Sequence, residues 1–183
     1  MPASPLTPTG RVILGMIALG RQTGYDIKQV VDRSTRHFWA ASYGQIYPEL
    51  RRLEKDGLVR GQSDPRGGRA RTVYELTPAG EAALDGWLEP APDPIFEVRD
   101  EGMLKLFLSD IGAPEQRISN LRTMRDAHRR TVAQLEELAT MASHMGTGPR
   151  MTLELGLGLH RWIVDWCEEA ERRLQAEASG DAD

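Results

Sequence analysis

Ser42, Tyr43, Gln45, Tyr47 and Arg51 crowd one short segment of this 183-residue chain, and Arg66, Arg69 and Arg71 crowd a second one downstream. Their chemistry is hydrogen bonding and charge. Hydroxyls and amides of this kind reach base edges or phosphates. Guanidinium groups fork onto phosphate oxygens or enter a narrow minor groove. Gln45 is the best base reader of the set, because one amide can bond adenine in two places. Tyr25 and Tyr47 can offer hydroxyls to phosphates while their rings pack inside. Lys28, Arg51 and Arg52 suit the phosphate backbone, although Arg52 and Glu54 read equally well as solvated helix charges.

Such side chains need a rigid mount, and Ser42 to Thr77 supplies one. Ile46, Leu50 and Leu53 recur in steps of four and three, with Leu58 following, so one face of a helix is apolar. Ser42 is placed to cap its start, and Asp56-Gly57 to close it through a left-handed residue. Pro48 removes one backbone donor, so the first turn around Gly44 to Pro48 is expected to be irregular. Leu58-Val59-Arg60 and Thr72 to Leu76 then pair as a hairpin. Its Gly-rich tip, Gln62 to Arg71, carries Arg66, Arg69 and Arg71. A helix followed by a basic hairpin tip is the order that places one element in a DNA groove and the other in its neighbour.

Four separated motifs add a resemblance: Gly24-Tyr25-Asp26-Ile27, Gly44-Gln45-Ile46-Tyr47-Pro48-Glu49-Leu50, Arg52-Leu53-Glu54-Lys55-Asp56-Gly57-Leu58 and Tyr74-Glu75-Leu76-Thr77-Pro78-Ala79-Gly80. In this order they resemble the PadR family of bacterial transcriptional regulators over about Leu6 to Glu89. Beyond Pro90, length and helical pattern resemble the longer PadR subgroup related to the virulence activator AphA. The resemblance implies a repressor that a small, often aromatic or amphipathic compound releases in some members.

The expected fold is mainly α with a small β-hairpin: an N-terminal winged helix-turn-helix and a C-terminal all-α dimerisation domain. Residues 1–9 are expected to be flexible, 10–89 to form the DNA-binding domain, 90–96 a proline-stiffened linker, 97–178 the helical domain and 179–183 a disordered tail. In the first domain, Arg11 to Leu19 and Tyr25 to about Thr35 read as helices, Phe38 and Trp39 as packed in the connection, and Pro78 to Leu88 as a fourth helix. In the second, Met103 to Ile111 gives a short amphipathic helix. A helix from Pro114 to Met145, about 48 Å long, is expected to be broken at Gly146 to Pro149 and followed by one near Thr152 to Ala176. The alternation of Leu153, Leu155, Leu157 and Leu159 also fits a strand, but the downstream period is helical. These helices are too apolar to stand alone, which points to a twofold homodimer and a palindromic operator with half-sites about 34 Å apart or a multiple of it.

Charge is divided unevenly. Residues 1–90 carry twelve Lys/Arg against ten Asp/Glu, or +2, which leaves −6 of the net −4 on residues 91–183. Phosphate binding depends on local potential, so an acidic total does not oppose a DNA partner. No apolar run approaches a membrane span, no secretory signal opens the chain, and the single Cys167 suits a cytoplasmic protein with a buried free thiol. No phosphate loop, nucleophile elbow or His/carboxylate cluster suggests an enzyme, and no metal or cofactor is expected. His128, Met145, His160, Trp162 and Trp166 are candidates for an effector pocket at the dimer seam. The rival reading is a winged-helix protein-interaction module, or a co-activator acting with a second regulator.

Overall fold

The computed structural model describes residues 6–39, 41–64, 71–90 and 98–179. It divides into two units, residues 1–95 and 96–183.

The first unit begins with α1 (Pro8–Ala18), where Thr7 accepts from the Gly10 amide and Pro8 takes the first helical position. Proline costs nothing there, since that N–H has no helical partner. The helix therefore starts inside the stretch expected to be flexible. Thr7 also donates to Glu49 at 2.5 Å, which fastens this start to a segment 42 residues further along the chain. After Gly20, whose φ of 80° turns the chain, Thr23 caps α2 (Gly24–Arg33). A short 3-10 turn, Thr35–His37, follows. Phe38 and Trp39 do not pack as expected. They are turned outward, at 61% and 38% exposure, and the smaller Ala41 fills the core position.

α3 (Tyr43–Lys55) is continuous through Pro48. The carbonyl that Pro48 leaves without a helical partner is that of Gly44, which is exposed, so water can satisfy it. Ile46, Leu50 and Leu53 are fully buried with Ile13, Leu14, Ile27 and Val31 of α1 and α2. Gly57, at φ 73°, ends α3, and the Leu58 amide returns to the Leu53 carbonyl at 2.9 Å.

β1 (Val59–Asp64) pairs antiparallel with β2 (Arg71–Leu76) in the register Val59 to Leu76 through Asp64 to Arg71. Glu54, on the last turn of α3, accepts from the Gly61 amide at 3.0 Å, and the Tyr74 amide donates to Gln22 at 2.7 Å. Both bonds fix the hairpin beside the helix pair. Thr77 donates to the Gly57 carbonyl and caps α4 (Pro78–Leu88) by accepting from Gly80. A Cβ on Gly80 would lie 2.0 Å from the Leu58 carbonyl oxygen, so α4 touches the base of the hairpin only because that side chain is missing.

The second unit opens with α5 (Glu101–Phe107), capped by Asp100. Two long helices follow, α6 (Pro114–Ala139) and α7 (Thr147–Ser179). The cross-pairs Arg122–Glu171, Arg129–Glu168 and Arg161–Glu136 run in opposite senses along the two helices, which are therefore antiparallel. Leu121, Cys167 and Ala170 form the buried centre, with Leu106, Met124, Ile163 and Trp166 packed on it. α6 is shorter than its apolar stripe, which continues into a 3-10 turn at Ala142–His144. α7 begins earlier than expected, at Thr147. Pro149 lies in its first turn, where proline is tolerated, and Leu153 to Leu159 are helical rather than extended. The expected linker at 90–96 falls almost wholly outside the described residues, as do Arg66 and Arg69. Among the described residues no helix is long and apolar enough to cross a membrane.

Candidate nucleic-acid interface

The first turns of α3 present the candidate readers. Tyr43, Tyr47 and Arg51 are four residues apart and so share one helical face, and all three are exposed. The Tyr43 and Tyr47 rings stack with centroids 6.1 Å apart and planes 17° from parallel. Tyr47 also lies over Gly24, where an added Cβ would come within 2.7 Å of its ring. This close approach lets α2 and α3 cross at their N-terminal ends. The ring is 41% exposed and that of Tyr25 is 55% exposed, so neither packs inside as expected. The Tyr25 hydroxyl accepts from Gln29 at 2.5 Å and remains at the surface.

The charged candidates separate by their partners. Lys28 is paired with Asp32 one turn along α2, and its ammonium lies 5.4 Å from the centre of the Tyr43 ring. It steadies that ring as well as adding charge to the face. Arg52 is engaged with Glu49 and Asp56, both at 2.7 Å, and its bonds to Glu49 hold that carboxyl below the usual range. Arg51 is exposed beside Tyr47, and Lys55 is exposed one turn further along the helix. At the hairpin, Arg71 faces Asp64 across the strand pair at 2.8 Å while staying half exposed. Arg60, which the sequence reading did not single out, is more exposed and only 3.6 Å from Glu75. Strand alternation in β1 could have pointed to it.

Ser42 and Gln45 form a unit of their own. The Gln45 carbonyl oxygen accepts from the Ser42 amide at 2.9 Å and from its hydroxyl at 3.2 Å, while Gln45 remains exposed. The S-x-x-Q spacing at a helix start was the sequence signal for this cap.

Of the effector candidates, His128 and His160 meet Nδ1 to Nδ1 at 2.6 Å. Trp166 packs on the Leu121–Cys167 centre, Trp162 is exposed, and Met145 lies in the connection between α6 and α7. A cleft of about 320 Å³ in this unit is lined by other residues, among them Leu104, Leu108, Gln116 and Arg117. Burial raises the Cys167 thiol pKa and so disfavours its thiolate. Among the described residues, no group of three His, Cys, Asp or Glu side chains is placed to hold a metal.

Residues 13–86, which include this interface, match the transcriptional regulator PadR-like family. The first unit carries a PadR-like family domain. Residues 98–175 match a second one, the virulence activator alpha C-term family. The PadR-like family is one of transcriptional regulators and not of enzymes. The negative transcriptional regulator PadR of Bacillus subtilis is 28% identical over 171 residues, 85% of this chain and 91% of its own. Its crystal structure in complex with operator DNA matches with a TM-score of 0.84 and 24% identity, covering 93% of this chain and 99% of that one. Its complex with p-coumaric acid gives 0.74 and 22%, covering 94% and 98%. The Vibrio cholerae virulence activator AphA gives 0.71 and 28%, covering 93% and 99%. The chain is thus a PadR-type transcriptional regulator with a winged helix-turn-helix and a helical C-terminal unit.

Proposed function

We propose that this PadR-type regulator binds a palindromic operator as a homodimer in the cytoplasm and represses transcription until a small aromatic or amphipathic compound releases it. The observation that carries the DNA reading is the exposed face of Tyr43, Tyr47 and Arg51 at the start of α3, with Ser42, Gln45, Tyr25 and Lys28 beside it. Arg71, with Arg66 and Arg69, is assigned to the neighbouring groove. The name of the Bacillus relative supports repression. That relative's complexes support operator DNA and an aromatic acid as the kinds of partner. Dimerisation is supported by the apolar row Met151, Leu155, Leu159 and Trp162 on α7, which stays more than half exposed among the described residues.

DNase protection on the chain's own promoter region tests this reading. The expected footprint is an inverted repeat whose half-site centres are about 10 base pairs, or a multiple, apart. The match to the virulence activator family favours a second reading, a co-activator or interaction module working with another regulator. No sequence-specific protection at low salt, together with retention of the chain by a DNA-bound protein, would decide for that reading.

A further inference from the structure

The surroundings of Gln45 limit which base it can read. An amide oxygen has two acceptor positions, and here the Ser42 amide and the Ser42 hydroxyl take both. The orientation of the amide follows from chemistry: a main-chain N–H requires an acceptor, so the oxygen and not the nitrogen must face it. The nitrogen, with two hydrogens, projects from an exposed side chain, and none of the described residues accepts from it. Two-point recognition of adenine would need the oxygen to accept from N6 while the nitrogen donates to N7. Here that oxygen is committed to the helix cap, and withdrawing it would leave the Ser42 N–H without its partner at the start of α3.

We infer that Gln45 reads DNA as a donor only and selects guanine in the major groove. Guanine presents N7 and O6 side by side, both acceptors, to a single NH2 group. Adenine sets an N6 donor beside N7, thymine offers O4 next to a methyl group, and cytosine offers a donor. This specificity rests on the operator-binding reading above and names what that site recognises.

The test is selection of binding duplexes from a randomised pool by the full-length chain and by its Gln45→Glu variant. Glutamate keeps an oxygen for the Ser42 N–H but has no hydrogen to donate. Its added charge is expected to weaken binding to all sequences, so the readout is the base preference at each position rather than the affinity. The wild-type pool should contain one guanine position per half-site whose preference falls roughly tenfold or more in the variant, while the other positions keep theirs. Placing 7-deazaguanine at that position should weaken the wild type and leave the variant unaffected. The variant should melt no lower than the wild type. The inference is overturned if the altered position is an adenine, if no position changes although the wild-type pool is sequence-specific, or if the variant melts lower because the cap has failed. A wild-type pool that enriches no sequence removes the operator-binding reading as well, which separates the two failures.

Discussion

His128 and His160 face each other across α6 and α7 with 2.6 Å between their Nδ1 atoms, a separation that accommodates one proton and not two. Burial pushes the His128 pKa below 6.5, and Asp100 at the start of α5 opposes that shift without cancelling it. The unfolded chain therefore holds more protons than the folded one between the lowered pKa and 6.5, so stability falls as the pH drops through that window. In calorimetry, the melting temperature is expected to decrease from about pH 7.5 to about pH 5.5, and less so in His128→Asn. His37, also lowered by burial and by Arg36, adds the same slope to both proteins. At this scale the sequence was legible where partners are close along the chain. The Lys28–Asp32 pair is an i, i+4 spacing and the Ser42–Gln45 cap an i, i+3 spacing. Arg71 against Asp64 depends on the hairpin register, and His128 against His160 on the pairing of two helices, neither of which local spacing fixes.

Between elements, the decisive contact is α4 on the base of the hairpin. Gly80→Ala would place its methyl group against the Leu58 carbonyl. It is expected to destabilise the first unit by about 1–3 kcal/mol, read as a shift in the urea midpoint. Gly86, on the same helix, has nothing within 4 Å of its Cβ position. There alanine is expected to stabilise by about 0.5–1 kcal/mol. The apolar periods of α3, α6 and α7 were visible in the sequence because each buries a continuous stripe. The end of α6 was not. The stripe runs on from Leu138 to Ala142 and Met145 because the 3-10 turn at Ala142–His144 keeps a spacing close to three, so periodicity alone does not register the break. Pro48 was overweighted for the opposite reason: the bond it removes ends at an exposed carbonyl.

For the whole molecule, the proposed dimer makes a demand on α7. Leu155 is 73% exposed in the middle of its row of apolar side chains. Leu155→Lys is expected to leave the folded chain monomeric, with sedimentation giving half the wild-type mass and operator affinity falling steeply, whereas a wild-type monomer at micromolar concentration would remove the dimer itself. The two-part division was legible in the proline-rich stretch between the halves and in the imbalance of charge. The layout of the α6–α7 pair also sets the loops that its packing must close. Its buried centre, Leu121 with Cys167 and Ala170, and its Arg122–Glu171 link, 49 residues apart along the chain, lie far from the connecting turn. Contacts beside that turn, such as Leu135 with Gly156, close much smaller loops. The buried centre of the second unit therefore closes its longest loops, where bringing the chain together costs the most entropy.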